Sequence, residues 1–221
     1  MKQIEISDEI RSAAPELRVI QVEADVHNPE TCDELWERIL AEGDALRARM
    51  EIPDINKRPA IAATRAAYKA LGKEPNRYRP SAEALCRRML KGKGLYRIST
   101  LVDVINLLSM RSGYSIGGFD ADRIDGDLLV LGVGKKDEPF PAIGRGELNI
   151  EFLPIYRDAT GGIGTPTSDT ERTKLTKSTT RLLMTVNVYG EGMPDDEFLE
   201  LTEELLHKYA GAEKIEVKLV R

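Results

Sequence analysis

The chain has 221 residues and a formal net charge of −5, with 41% hydrophobic and 31% charged residues, a balance typical of a globular protein that can bury a core. No apolar run approaches the roughly 18 residues of a membrane span, and the first residues lack the apolar core of a signal peptide. We therefore expect a cytoplasmic protein without a membrane segment. The acidic balance also argues against binding along long stretches of nucleic-acid backbone by bulk charge.

The first half of the chain is predicted to be mainly helical. Strands are expected at residues 2–6 and 17–26, and polar residues alternating along the second strand indicate one solvent-facing side. Apolar stripes, capping residues and stop signals predict helices at residues 8–15, 29–53, 59–71, 82–90 and 101–108. Residues 115–120 contain paired glycines and are expected to form a turn.

The second half of the chain is predicted to be richer in strands. Apolar runs predict strands at residues 128–133, 147–156, 182–189 and 214–220, and an amphipathic helix at 194–210. Helices and strands alternate irregularly, without the regular spacing of β-α-β units. The sequence therefore predicts a single α+β domain over residues 1–221. Its mainly antiparallel β-sheet core would be flanked by helices, with a helix-rich half (1–114) and a strand-rich half (115–221).

Residues 163–180, here called the threonine loop, hold the densest group of hydroxyls in the chain. Seven of these eighteen residues are threonine, namely Thr165, Thr167, Thr170, Thr173, Thr176, Thr179 and Thr180. Glycines precede the loop and a predicted buried strand follows it, which is a common way to build a polar site on a rigid scaffold. The alternative is an ordinary solvated loop, because Gly, Ser, Thr and Asp also dominate turns.

Most familiar catalytic chemistries lack their residues in this sequence. His27 and His207 are the only histidines and stand apart from any nucleophile motif, and there is no GxSxG, HExxH or phosphate-binding glycine loop. Cys32 and Cys86 have no further Cys or His at metal-ligand spacing, so we expect neither a metal nor a cofactor. One compatible chemistry is hydrolysis of an activated ester, in which hydroxyls, backbone amides and an acidic side chain hold a water molecule.

Residues 77–134 carry an ordered set of motifs that resembles one known family. They read Arg-Pro-Ser-x-Glu-Ala-Leu at 79–85, Leu-Val-Asp-x-x-Asn-Leu at 101–107, and a glycine-bearing segment ending in Phe119-Asp120. This order resembles the B3/B4 domain of the phenylalanyl-tRNA synthetase beta subunit, most closely its free-standing members. The threonine loop falls where that family has an Asp/Ser-x-x-Thr-x-x-Thr region. The resemblance covers residues 15–190.

The resemblance implies a B3/B4-like sandwich and an editing function. In the synthetase this domain hydrolyses tyrosine wrongly esterified to the phenylalanine tRNA, using an oriented water and a ribose hydroxyl of the tRNA itself. The bacterial subunit typically reads His-Ala-Phe-Asp where this chain has Gly117, Gly118, Phe119 and Asp120, so the pocket histidine is absent. The bacterial glycine turn followed by a glutamate is also replaced, at residues 164–167. The identity of the amino acid removed is therefore left open.

Two main functions follow from the resemblance. The first is hydrolysis of mischarged aminoacyl-tRNA in trans, with the aminoacyl end of tRNA as partner; the chain lacks the modules of a complete tRNA ligase. The expected roles are catalysis by Thr165, Thr167 and Ser168, substrate binding by Asp103, Asn106, Gly117, Gly118 and Asp120, and RNA binding by Arg79 and Arg172. The second function is non-catalytic binding of a free amino acid or a tRNA end. A third reading is a structural domain with a vestigial pocket.

Overall fold

The protein is described by a computed structural model that covers residues 1–221. Its helices are α1 (Asp8–Ala13), α2 (Asp33–Arg49), α3 (Pro59–Ala70), α4 (Ser81–Leu90), α5 (Thr100–Ser112) and α6 (Asp195–Ala210). Its strands are β1 (Gln3–Ile6), β2 (Arg18–Asp25), β3 (Ser115–Asp120), β4 (Leu128–Val133), β5 (Pro141–Ala142), β6 (Gly146–Glu147), β7 (Pro154–Arg157), β8 (Gly162–Gly164), β9 (Arg181–Val188) and β10 (Glu213–Val220). No helix combines the length and apolar character that a membrane crossing needs.

Two four-stranded sheets form the core. One has the strand order β10-β2-β9-β3 and the other β1-β4-β7-β8, and β5 pairs with β6 in a small hairpin. All neighbouring strands run antiparallel except β1 and β4, which are parallel. Each sheet combines strands from both halves of the chain. The predicted α+β class with mainly antiparallel sheets is confirmed.

The sheet that contains β2 is the middle layer of three. On one of its faces, Ile20 and Val22 join a buried cluster with residues of α2, α4, α5 and α6. On the other face, Val19 joins a second cluster that includes Leu131 of the opposite sheet. Side chains along a strand point alternately to opposite faces, so β2 supplies apolar residues to both interfaces.

The solvent-facing side predicted for residues 17–26 is wrong. Gln21 and Glu23 are buried, because the second sheet and the first residues of the chain lie over them. Gln21 Nε2 donates to the carbonyl of Lys2 at 2.8 Å, and the backbone N–H of Lys2 donates to Glu23 Oε1 at 2.5 Å. These bonds replace water for the buried polar groups, which is why a pattern typical of a half-exposed strand occurs here inside the protein.

The turn predicted at residues 115–120 is also wrong, because these residues form β3 and all six are buried. A Cβ atom at Gly117 would lie 2.7 Å from the Phe119 ring, and one at Gly118 would collide with Ile105. The glycines therefore mark close packing on both faces of a strand rather than a turn. The strand predicted within 147–156 is confined to the short β7 at the end of that range.

The start of α4 is fixed by a buried carboxylate. Glu83 is fully buried, and its two oxygens accept bonds from Arg65 Nη1 of α3 and from Arg87 Nε one turn later in α4, each at 2.8 Å. These charged hydrogen bonds compensate the Glu83 carboxylate and the two guanidinium groups for the water that each loses on burial. This arrangement ties α4 to α3 and so sets the position of Ser81.

We predict that Glu83→Gln lowers the free energy of unfolding by roughly 3 kcal/mol. The substitution keeps the size of the side chain but leaves two guanidinium groups without a counter-charge in a largely buried place. Urea denaturation measures the change. The control is Glu204→Gln, which removes an exposed partner of Arg38 and should change stability by about 1 kcal/mol or less. Equal effects of the two substitutions would contradict the prediction.

Candidate functional site

A cavity of about 400 Å³ lies between α4, α5, β3 and the threonine loop. Its apolar wall is made by Leu85, Val102, Ile105, Ile116 and Leu175. Two further lining residues, Ile98 and Ile143, are exposed by 56% and 41% and stand where the cavity meets solvent. Ligand sites are commonly concave and mostly apolar with a few polar groups, and this cavity has both features.

One face of α5 forms the longest wall of the cavity. Val102, Ile105, Asn106 and Ser109 line it, and their spacing of three and four residues places them on one side of a helix. The helix thus offers two polar groups, an amide and a hydroxyl, within an otherwise apolar wall.

The backbone of β3 forms the opposite wall at Gly118. Alternation along the strand turns Gly118 toward the cavity and Gly117 toward the second sheet, where it packs against Phe119 and Thr185. A Cβ at residue 118 would clash with Ile105 Cδ1 and lie 3.0 Å from Leu175 Cδ1, both of which belong to cavity-lining residues. The absence of a side chain at Gly118 therefore lets Ile105 and Leu175 pack against the backbone of β3 without being pushed into the cavity.

Asp169 of the threonine loop reaches the cavity directly across from β3. Its Oδ2 accepts a hydrogen bond from the backbone N–H of Gly118 at 3.2 Å, and its Oδ1 would lie 2.6 Å from a Cβ at Gly164. No basic side chain pairs with this carboxyl group; Lys174, which also lines the cavity, pairs with Glu171 instead. Burial raises the pKa of Asp169 from 3.8 to about 7, against the opposing effect of the Gly118 N–H.

The threonine loop holds Asp169 in place through a tight internal turn. Thr165 Oγ1 accepts bonds from the N–H groups of Thr167 and Ser168 at 3.1 and 3.0 Å, and Thr165 N donates to the Ser168 carbonyl. The carbonyl of Asp169 then accepts from Ile143 N at 3.0 Å. The backbone before and after the carboxyl is therefore fixed, which is what a preorganised polar group requires.

The ordinary solvated loop considered for residues 163–180 does not fit this arrangement. Five of its seven threonines are buried, namely Thr165, Thr167, Thr170, Thr173 and Thr179. Thr167 Oγ1 shares a hydrogen bond with Tyr68 OH at 2.9 Å, and Ser81 N donates to the Pro166 carbonyl at 2.7 Å. The loop is therefore packed between α3, α4 and the sheets.

The structure brings together only some of the residues expected at the site. Asn106 and Gly118 line the cavity. Thr165, Thr167 and Ser168 lie in the turn just before Asp169, and the hydroxyls of the two threonines are bonded within the protein. They shape the loop that carries the carboxyl group and do not line the cavity.

The other expected residues lie outside the cavity wall. Asp103 accepts bonds from Thr31 Oγ1 and Ile98 N, and Asp120 accepts one from Thr179 Oγ1 at 2.9 Å. Gly117 faces the second sheet. The two arginines expected to contact RNA are engaged differently: Arg172 binds Asp158 through both terminal nitrogens at 2.8 and 2.7 Å, whereas Arg79 is 48% exposed and lies 3.6 Å from Glu83.

Sequence reasoning missed Asp169, Ser109 and Ser81 as lining residues. Asp169 stands among many hydroxyl residues in the sequence, and only the pairing of its loop with β3 sets it apart. Ser109 carried a usable signal, because it lies three residues after Asn106 on the same helical face. The chain holds no group of three or more His, Cys, Asp or Glu arranged for a metal ion.

These features define a helix-flanked double sheet with a ligand-sized cavity at the edge of its middle layer. A family model described as the B3/4 domain matches residues 63–192, which is more than half of the chain and includes every polar lining residue. The chain belongs to the B3/4 domain family, and the resemblance seen in the sequence is confirmed.

The similarity of this chain to individual proteins is weaker than its match to the family model. No curated protein matches the chain. A crystal structure of an N-terminal fragment of the phenylalanyl-tRNA synthetase beta subunit from Pyrococcus horikoshii is similar at 12% sequence identity and a TM-score of 0.48. The match covers 99% of this chain and 54% of that one, so the chain spans about half the length of the solved fragment.

We predict that the contribution of Asp169 to the stability of the protein falls as the pH rises from about 4 to about 7. In this window the unfolded chain releases the proton of a carboxyl with pKa 3.8, whereas the folded protein retains it up to about 7. The unfolded state then binds fewer protons at this group, so its contribution to the free energy of unfolding decreases with pH and levels off above 7.

Asp169→Asn isolates this effect, because an amide does not ionise and its oxygen can still accept from Gly118 N. The stability of the variant relative to the wild type, measured by urea denaturation, should increase between pH 4 and pH 7. A difference that stays constant over this range would show that the carboxyl is not held protonated by the fold.

Proposed function

We propose that the protein hydrolyses mischarged aminoacyl-tRNA in trans, with the amino-acid side chain held in the cavity. The observation that carries this proposal is one largely apolar cavity whose polar lining includes the Asp169 carboxyl, the amide of Asn106 and the hydroxyl of Ser109. A volume of about 400 Å³ suits an aminoacyl group with part of the terminal ribose. Membership of the B3/4 domain family supports the same class of substrate.

Asp169 is the proposed general base. A base works best when its pKa lies near the working pH, and burial brings the pKa of this carboxyl to about 7. In the proposed step a water oxygen bonds to the ester carbonyl carbon while Asp169 takes one proton from that water. The bond to the ribose oxygen then breaks, and this oxygen takes the proton that Asp169 removed from the water, which leaves a free amino acid, a tRNA hydroxyl and the regenerated carboxylate.

The threonine loop has two parts in this proposal. Thr165 and Thr167 hold the turn that aims Asp169, through the internal bonds described above. Ser168 precedes Asp169 without lining the cavity, and its hydroxyl donates to the Asp169 carbonyl at 3.4 Å, so it helps to fix the backbone that carries the proposed base. The mechanism uses the ribose hydroxyl beside the ester as a further hydrogen-bond donor and needs neither a histidine nor a metal ion.

A basic, aromatic stretch beside the cavity mouth supports contact with the tRNA end. Residues 84–102 contain five Lys or Arg and no acidic residue, in a chain whose net charge is −5. Arg87 and Arg97 pair with Glu83 and Asp33, which leaves Arg88, Lys91 and Lys93 for a ligand. Tyr96 is 70% exposed, and its ring lies 4.6 Å from the Arg88 guanidinium. Exposed aromatic rings stack on unpaired bases while basic groups meet phosphates, and Ile98 connects this stretch directly to the cavity. Activity on tRNA would place the protein in the cytoplasm.

We predict that Asp169→Asn lowers kcat for hydrolysis of the preferred mischarged tRNA by about 100-fold or more. The purified protein is incubated with a panel of tRNAs, each charged with a cognate or near-cognate amino acid, and release of the amino acid is followed. Asp122→Asn is the control, because Asp122 pairs with Arg181 outside the cavity and should leave kcat unchanged.

Two outcomes would count against hydrolysis. If the wild type accelerates release from none of the charged tRNAs, the catalytic proposal is wrong. If it instead binds a free amino acid or an uncharged tRNA end, detected as a rise in melting temperature that Asn106→Leu abolishes, the same cavity serves a non-catalytic binding module.

We predict that Lys91→Glu combined with Lys93→Glu raises KM for charged tRNA by about 10-fold and leaves kcat nearly unchanged, because these lysines would meet phosphates and not the ester. The effect should shrink at high salt. Lys135→Glu combined with Lys136→Glu is the control for a general loss of positive charge. Equal effects of the two double variants would contradict a local RNA contact at the cavity mouth.

A further inference from the structure

The two edges of the middle sheet differ in how they are covered. The outer side of β3 is occupied by the threonine loop, where Phe119 bridges Lys174 and Asp120 N donates to the Thr173 carbonyl at 2.9 Å. The opposite edge is β10, which pairs only with β2 and has eight residues. Its outer N–H and C=O groups are therefore free to pair with another strand.

The side chains of β10 also leave an apolar strip in solvent. Val217 and Leu219 are exposed by 40% and 42%, and both point to the helix side of the sheet together with Ile215. A long edge strand with exposed apolar residues is uncommon in a monomer, because it promotes association with other strands. Lysines often prevent such pairing, and β10 has Lys214 and Lys218. Lys214 is already paired with Asp25 at 2.7 Å, whereas Lys218 has no ionic partner within the chain.

The order of charges along β10 matches a second copy of itself. Residues 213–221 read EKIEVKLVR, and an antiparallel pair centred on Val217 sets Glu216 opposite Lys218 of the partner subunit. The same register sets Ile215 opposite Leu219 of the partner subunit, and the bulge between Glu213 and Glu216 ends the regular pairing beyond this point. Opposite charges and apolar pairs that face each other across strands are favourable.

Other registers do not have this match. An antiparallel pair centred on Glu216 would set the two Glu216 side chains opposite each other, and like charges directly opposite each other are unfavourable. A pair centred on Lys218 would set the two Lys218 side chains opposite each other and leave Glu216 opposite the apolar Val220 of the partner subunit. Of these three registers, only the one centred on Val217 sets opposite charges against each other.

We propose that two copies of this chain associate through their β10 strands, antiparallel and centred on Val217. The two four-stranded middle sheets then become one continuous sheet, which removes both free edges. Such an interface is isologous, because the same patch of each copy meets itself. Neither the cavity nor the basic stretch at its mouth takes part.

The proposal is tested by the oligomeric state of the full chain. Analytical ultracentrifugation over a wide range of concentrations should detect a wild-type dimer. Glu216→Lys and Lys218→Glu should each raise the Kd of the dimer roughly 100-fold. Residue 216 of each copy lies opposite residue 218 of the other, so each substitution creates two contacts between like charges. Glu200→Lys changes the same charge at an exposed position of α6 and should leave the Kd unchanged.

Combining the two substitutions makes the test specific for the register. An equimolar mixture of the Glu216→Lys and Lys218→Glu proteins should form a heterodimer, and a chain that carries both substitutions should recover the homodimer. Glu216 lies 3.8 Å from the N-terminal ammonium group, so melting temperatures are compared to establish that each variant is folded. A wild type that stays monomeric, a dimer insensitive to Glu216→Lys, or failure of the mixture to associate would overturn the proposal.

Discussion

The pairing of the threonine loop with the edge of β3 is the contact on which the candidate site depends. Three successive residues of β3 meet the loop: Gly118 N donates to the Asp169 carboxyl, Phe119 bridges Lys174, and Asp120 N donates to the Thr173 carbonyl. The loop thereby takes the place of a fifth strand without having the regular bonding of one. It carries a carboxyl group to a place where only backbone stands opposite, and α5 closes the remaining side.

Two carboxyl groups, the buried Glu83 and the partly buried Asp169, show how neighbours decide the role of an acidic residue. Glu83 is held by the guanidinium groups of Arg65 and Arg87, so its charge is compensated and it serves to join two helices. Asp169 meets a single backbone N–H and no cation, so its charged form is poorly stabilised and its pKa rises toward neutrality. Both residues are acidic, but only the second is available to exchange a proton with a ligand.

The sequence was sufficient to predict the fold class and most helices, because apolar periodicity and end signals are local. The strand β2 and the helices α3 and α4 begin and end within one or two residues of their predicted bounds. Local sequence patterns gave the wrong exposure or the wrong element where segments distant in the sequence cover a strand. The polar residues of β2 suggested solvent because the second sheet above Gln21 comes from distant segments, and paired glycines suggested a turn where they allow close packing.

The candidate site was predictable only in outline for the same reason. The sequence pointed to α5, the glycine pair and the threonine loop, and Asn106 and Gly118 do line one cavity. It could not separate Gly117 from Gly118 without knowing that residues 115–120 form a strand, since alternation sends the two to opposite faces. Nor could it select Asp169, because the missing counter-charge around that carboxyl is a property of the folded protein.

The bare backbone at Gly118 has a consequence for how this fold can diversify. Since one wall of the cavity ends at an α-carbon, a single added methyl group would press on the ends of Ile105 and Leu175 and move them into the vacant volume. Proteins with this same architecture could thus gain or lose a guest, or change the size of guest they accept, through one codon and with every strand left where it is.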